Sequence, residues 1–248
     1  MERGLLILQT LNQRNGLKAA EVANETSIPR PTVYRLLETL EGLGFVSRDY
    51  SSEKWRPTLQ AKSLSSGFRY EDWVTQSAVP EMVRLGRDIL WPIDLVTFND
   101  YRMEIRESTH NISPYSIDHG MVGLQSPVLD TAGGRAWLAF SSEEVRAQTL
   151  AGLKARQGLQ DPVILLDGPL VHVLKTCTEL GVGYRMNGHR PRTQSISAPI
   201  YYDQDVLACL TVIWTTSALS FENALVQFRD KLVKAAQNIS DALVRAED

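Results

Sequence analysis

Between residues 17 and 43 the chain reads LKAAEVANETSIPRPTVYRLLETLEGL, and its apolar positions form two short helical patterns back to back. Over Leu17–Glu25, Ala19, Val22 and Ala23 share one side, and the segment closes in the polar group Asn24-Glu25-Thr26. Ser27-Ile28-Pro29 is the turn, and a second helix is predicted from Arg30. Its Val33, Leu36, Leu37, Leu40 and Leu43 stand at i, i+3, i+4, i+7 and i+10, one stripe for burial. Pro31 suits the first helical turn, where a missing N–H costs nothing. Pro31 and Arg35 lie opposite the stripe, flanked by Thr32 and Tyr34, with Arg30 at the helix mouth. A helix-turn-helix presents such residues to a DNA major groove. An αα-hairpin in an enzyme has the same periodicity, and the next segment separates the two. Gly42-Leu43-Gly44 stops the helix, Phe45–Arg48 reads as a strand, Asp49–Glu53 as a turn and Lys54-Trp55-Arg56 as a returning strand. That hairpin is a wing, and its Arg48, Lys54 and Arg56 are suited to phosphates beside the groove. The winged helix-turn-helix is the better reading.

Gly4 to Leu11 predicts a preceding helix whose Leu5, Ile7, Leu8 and Leu11 cover the helix-turn-helix, closed by Asn15-Gly16. After the wing, Leu59, Leu64 and Phe68 predict a connecting helix, and Tyr70, Trp73, Val74, Val79, Met82, Val83 and Leu90 continue the pattern, with Pro80 as a boundary between two helices. From Trp91 the texture is that of strands. Leu95–Phe98, a turn at Asn99-Asp100 and Met103–Ser108 form a hairpin, and Tyr115–Asp118 is a candidate third strand. A glycine-rich loop enters a helix near Thr131, Ser141 with Glu144 forms a capping box, and Pro169–Leu180 is a further helix closed by Gly181. Tyr184–Met186, Ser195–Ile200 and Val206–Trp214 read as strands, the last two joined by a turn at Asp203–Asp205. Ser220 caps a long terminal helix. The expected fold class is α+β: a winged helix-turn-helix over 1–58, a linker helix over 59–79, and an antiparallel-sheet domain over 80–248.

Charge adds a little. The net charge is −3, but residues 1–68 carry nine Lys/Arg against seven Asp/Glu, a net of +2, whereas the rest carries 17 against 22, a net of −5. A basic end on an acidic body suits DNA contact confined to one module. Cys177 and Cys209 are the only cysteines and form no CxxC, so neither a disulfide framework nor a structural zinc is indicated. No signal-peptide pattern opens the chain and no apolar run reaches membrane-spanning length; a cytoplasmic protein without membrane partners is expected. No G-x-S-x-G, HExxH or phosphate-loop motif is present, so the chain is expected not to be an enzyme and to need no cofactor or metal. His119, before Gly120, is the best ligand candidate among the four histidines. Arg106 on its strand faces either a pocket or solvent, and Tyr34 either reads a base methyl or packs on the DNA backbone.

Four ordered motifs, RGLLILQTL, RLLETLEGLGFV, PVLDTAGGRAWLAF and SISAPIYYDQDVLACLTV, make nearly the whole chain resemble the IclR family of bacterial transcriptional regulators. Within it, Trp91-Pro92-Ile93-Asp94, Arg106–His110 and Met121-Val122-Gly123 resemble the subgroup controlling phenylpropionate and related aromatic-acid catabolism. The resemblance implies a GAF-like effector domain binding a small organic acid, and dimers or dimers of dimers on double-stranded, palindromic operator DNA. It also implies a carboxylate seat at Thr131, Ala132 and Gly133, with Ser195, Ser197, Thr211 and Ile213 facing the ligand. Ile213 departs from the polar residue of relatives that bind small oxoacids. Arg185, His189, Arg190 and Arg192 stand where acidic residues are common. Both departures point to a larger, partly apolar anion, an aromatic carboxylate walled by Trp91, Ile213 and Trp214. A small aliphatic oxoacid is the alternative effector, and a small-molecule enzyme the alternative class.

Overall fold

The computed structural model describes residues 1–14, 16–64, 72–156, 168–188 and 190–245. The chain divides into two compact units, one formed by Met1–Tyr70 with Ile117–Gly120, the other by Glu71–Ser116 with Met121–Asp248. Asn15, Phe68, Tyr70 and His189, which entered the sequence reading, lie outside the described residues.

The first unit is built from α1 (Glu2–Asn12), β1 (Leu17–Lys18), α2 (Ala19–Thr26), α3 (Arg30–Gly42), β2 (Val46–Asp49), β3 (Lys54–Pro57) and a short α4 (Leu59–Ser63). Ile7, Leu11, Val22, Val33, Leu37 and Trp55, each at most 2% exposed, form its core. Three features of this unit differ from the sequence expectation. Leu17 and Lys18 are not helical: they pair with Trp55 and Lys54 as a third strand, completing the sheet β1-β3-β2. A two-residue strand carries too little periodicity to be told from a helix start. Leu43 is 62% exposed because α3 ends at Gly42, so the last position of the stripe falls beyond the helix. Leu5 is exposed too, leaving Ile7 and Leu11 as the buried contacts of α1.

In the second unit a π-helical turn (Val74–Ala78) runs directly into α5 (Val79–Ile89), with Pro80 in the first turn of α5. The expected boundary between two helices at Pro80 falls one residue earlier, where the π turn gives way to α5 at Val79. Proline lacks an N–H and crowds the carbonyl four residues back, and the widened π turn relieves that crowding. Then follow β4 (Ile93–Asn99), β5 (Arg102–Ser108), β6 (Gln125–Ser126), α6 (Ala132–Phe140), α7 (Glu143–Ala155), α8 (Pro169–Leu180), β7 (Gly183–Arg185), β8 (Thr193–Tyr202), β9 (Asp205–Thr215) and α9 (Phe221–Arg245). The six strands form one antiparallel sheet in the order β6-β5-β4-β9-β8-β7. Its hairpins turn at Asp100-Tyr101 (φ 45° and 62°) and Asp203-Gln204 (φ 53° and 80°), one residue later than expected at the first. Successive positive φ values match the right-handed twist of the flanking strands. Tyr115–Asp118 is not a strand; Gln125–Ser126 takes the outer edge of β5 instead. The cap of α7 is Ser142, whose hydroxyl accepts from Val145 N, while Ser141 closes α6.

Residues directly opposite on antiparallel strands share a face. One face of the sheet carries Ile93, Leu95, Ile196, Ala198, Ile200, Leu210, Val212 and Trp214, all buried, and α9 packs over it. Phe221 and Phe228 of α9 meet the Trp214 ring at 6.2 and 6.1 Å, and the Ser240 hydroxyl accepts from Tyr201 N at 2.9 Å. The other face is covered by α6, and two glycines set how closely. A Cβ on Gly133 would stand 2.6 Å from Val96 Cγ2, and one on Gly183 would strike the backbone of Ala132 and Ala136. Backbone cannot give way as a side chain can. Gly183→Ala is therefore expected to destabilise the second unit by about 1–3 kcal/mol, as overpacking does, with a lowered thermal midpoint as the readout; an unchanged midpoint would mean α6 sits further from β7.

Candidate DNA-binding surface and effector site

In the first unit, α3 carries the expected recognition residues on its outer side. Arg30, Pro31 and Arg35 are exposed, and Thr32 and Tyr34 are half-buried. Arg30 and Tyr34, one turn apart, are linked: the Arg30 guanidinium lies 5.6 Å from the Tyr34 ring centroid and donates to its hydroxyl at 3.4 Å. That bond raises the Arg30 pKa above its ordinary value. The Arg35 side chain is exposed, and the Arg35 carbonyl accepts from the Thr39 hydroxyl at 2.8 Å.

The wing separates its three cations. Arg48 is opposite Trp55, which is 2% exposed, so Arg48 belongs to the inner face. Its guanidinium rests against the rings of Trp55 and Tyr50 and pairs with Glu53 at 3.1 Å. Lys54 and Arg56 alternate with Trp55 and project from the other face. Lys18, which sequence reasoning missed, is directly opposite Lys54 on that outer face. Like charges facing each other across a strand pair repel, a cost that a bound phosphate would reverse. The missed signal was the inward-outward pair Leu17-Lys18, hidden by the helical reading.

In the second unit the α6-covered face is polar where the α9 face is apolar. Gly183, Ser197, Thr211, Asp94 and Ser108 are opposite one another in one row across five strands, and Arg185, Ser195 and Ile213 form the next. The hydroxyls of Ser197 and Thr211 are 2.8 Å apart, and both residues are buried. Asp94 is 5% exposed, with His110 Nε2 3.7 Å from its Oδ1; His110 Nδ1 is 2.6 Å from the Ser116 hydroxyl. Asp94 and His110 were not among the expected ligand residues. The signal for Asp94 was a single acid inside an otherwise apolar strand.

Thr131 is the N-cap of α6, its hydroxyl accepting from Gly134 N at 3.2 Å and donating to Pro127 O at 2.8 Å. The helix start is clamped by Arg135, which donates to Leu129 O and Tyr184 O and pairs with Asp130 at 3.5 Å. Ala132 and Gly133 thus begin a helix directly above the row, and Thr211 Oγ1 lies 3.5 Å from the position of a Gly133 Cβ. First-turn amides lack intrahelical acceptors, and the dipole favours an anion there. Trp91 is half-buried with its ring 5.0 Å from that of Tyr115, and the adjacent Pro92 accepts from Ile213 N. Both cysteines are buried, and burial pushes the Cys177 thiol up to about 11, away from nucleophilic use.

The structure does not bring all expected residues to this row. Trp214 lies on the opposite face, beneath α9, with its indole N–H donating to Leu219 O. The side-chain period of two puts Trp214 and Ile213 on opposite sides. His119 is half-buried in the segment Ile117–Gly120, which belongs to the first unit. Arg106 is the extra residue of a bulge, since Glu107 is opposite Leu95 and Ile105 opposite Val96.

A helix-turn-helix with a β-hairpin, followed by an α+β domain with a buried polar site, defines a DNA-binding transcriptional regulator with an effector domain. Residues 1–50 match the IclR helix-turn-helix domain, and residues 73–241 match the bacterial transcriptional regulator IclR C-terminal domain. The chain belongs to the IclR family. It is 26% identical over 239 residues to the HTH-type transcriptional regulator KdgR of Escherichia coli (strain K12), covering 94% of this chain and 88% of KdgR. The fold is shared with the Thermotoga maritima IclR structure (TM-score 0.65, 16% identity, 98% of this chain and 97% of that one). It is shared too with an IclR homologue from Microbacterium hydrocarbonoxydans complexed with 4-hydroxybenzoate (TM-score 0.57, 20% identity, 98% of both chains). Among the described residues no helix is long and apolar enough to cross a membrane.

Because Trp214 is core rather than ligand wall, Trp214→Ala is expected to cost about 3–5 kcal/mol of stability. A variant with unchanged thermal midpoint but weakened effector binding would return Trp214 to the site.

Proposed function

We propose that this regulator reads double-stranded operator DNA as a homodimer or dimer of dimers and is controlled by a small organic acid, with an aromatic carboxylate as the favoured effector. The observation that carries the effector reading is the buried row Ser197, Thr211 and Asp94 beneath the start of α6. Buried hydroxyls and a buried carboxylate cost free energy in a core face that apolar side chains would otherwise fill, so their presence supports a site. In this reading the α6 start takes the carboxylate and Asp94 accepts from a hydroxyl or other donor at the far end. Ile213 and the Trp91–Tyr115 pair favour an apolar body between them. The 4-hydroxybenzoate held by the Microbacterium homologue has that chemistry. A small aliphatic oxoacid is the second reading, favoured by the hydroxyls of Ser195, Ser197 and Thr211.

On the DNA side, Arg30, Thr32, Tyr34 and Arg35 of α3 would meet the major groove, with Pro31 beginning the helix and Lys18, Lys54 and Arg56 on phosphates. Arg48 serves the wing itself.

Two measurements test this. Arg35→Ala should abolish the specific operator footprint, whereas Lys54→Ala or Arg56→Ala should weaken all sequences alike and lower the salt slope by about one each. A normal footprint from Arg35→Ala would overturn the recognition-helix assignment. A thermal-shift screen of carboxylic acids, followed by operator binding with each hit, tests the effector. Stabilisation by benzoate- or phenylpropionate-type acids with altered DNA binding is expected; glyoxylate or a sugar acid alone would establish the second reading.

A further inference from the structure

The edge of the effector face formed by β7 holds a buried cation that, among the described residues, no carboxylate reaches within ion-pair distance. Arg185 is 4% exposed, opposite Ser195, which is in turn opposite Ile213. It therefore stands on the same face as the buried polar row. Its guanidinium donates to Arg190 O at 2.9 Å, Thr193 O at 2.7 Å and Thr193 Oγ1 at 2.9 Å. All three acceptors are neutral. Among the described residues no carboxylate comes within ion-pair distance of Arg185; Asp130, which attracts it from further away, is paired with Arg135. Burial, reinforced by the charge of Arg190, pulls the Arg185 guanidinium down to about 10.

A buried charge facing only neutral dipoles is an expensive way to staple a loop, since a neutral donor would hold the same carbonyls without being desolvated as an ion. The planar guanidinium is, in contrast, well matched to a carboxylate. The α6 start is close by. Gly183, two residues before Arg185, lies against the backbone of Ala132 and Ala136, and Asp130 directly precedes the N-cap. A helix terminus offers about half a unit charge; Arg185 supplies a whole one. The acid at the other side of the polar row, Asp94, would repel a carboxylate, which favours the β7 side for the anionic end.

We propose that Arg185 is the counter-ion for the effector's carboxylate and sets the preference of this site for acids over their neutral analogues. The proposal rests on the organic-acid reading above and names the residue that reads the charge.

Calorimetric titration of the full chain with 3-phenylpropionate, benzoate and pyruvate, each beside its amide, provides the test. At least one acid should bind the unmodified chain, with its amide weaker by roughly tenfold or more, the scale of hydrogen bonds to a charged group. Arg185→Met should erase that difference, Arg185→Lys should retain most of it, and Thr193→Val, which removes one acceptor of the fork but not the charge, should also retain it. If Arg185→Met binds the acid within about threefold of the unmodified chain, the proposal is overturned while the organic-acid reading stands. Loss of acid preference in both Arg185→Lys and Thr193→Val would likewise overturn it, marking Arg185 as a loop staple. If neither these acids nor glyoxylate and a sugar acid, titrated beside them, bind the unmodified chain, the organic-acid reading fails and takes this inference with it.

Discussion

The close seating of α6 on the six-stranded sheet is the constraint on which the effector domain depends. Gly133 and Gly183 allow it: one lets the helix descend onto Val96 and Thr211, the other lets β7 pass beneath the helix backbone. With side chains at these positions the helix would ride higher and the polar row would open to solvent. The Thr131 cap and the Arg135 clamp then hold the helix start over hydroxyl and carboxylate groups. The same sheet shows the opposite chemistry on its other face, where Trp214 and its apolar neighbours pack under α9. One face supplies cohesion, and the other bears the cost of buried polarity.

The DNA-binding unit divides its charges in a comparable way. A small domain needs a large anchor, and Trp55 provides it, with Arg48 laid across its ring and neutralised by Glu53. Arginine can do this because its guanidinium is planar and weakly hydrated. The strand alternation that turns Trp55 inward turns Lys54 and Arg56 outward, and β1 adds Lys18 beside them. Cations of the same short hairpin therefore stand in different surroundings, decided by the parity of their positions.

Much was legible in the sequence because it rests on local rules. The stripe of α3, the Ser27-Ile28-Pro29 turn, the wing, the helix start near Thr131, the Ser220 cap and the strands β8 and β9 all follow from periodicity, capping and turn chemistry acting over a few residues. So did the family, whose motifs are contiguous, and with it the presence of both a DNA-binding module and an effector domain. What tertiary structure alone decided concerns parity, pairing and ends. Strand β1 exists because β3 has an edge to offer, and Gln125–Ser126 rather than Tyr115–Asp118 completes the sheet for the same reason. Ile213 and Trp214 are neighbours in sequence, yet a period of two sends one to the polar face and the other beneath α9. Asp94 joins the buried polar row only through the pairing of β4 with β9, which sets it opposite Thr211. The burial of Arg185 with no described carboxylate at ion-pair distance is likewise not written at one position, because it depends on which charges the folded chain leaves out of reach.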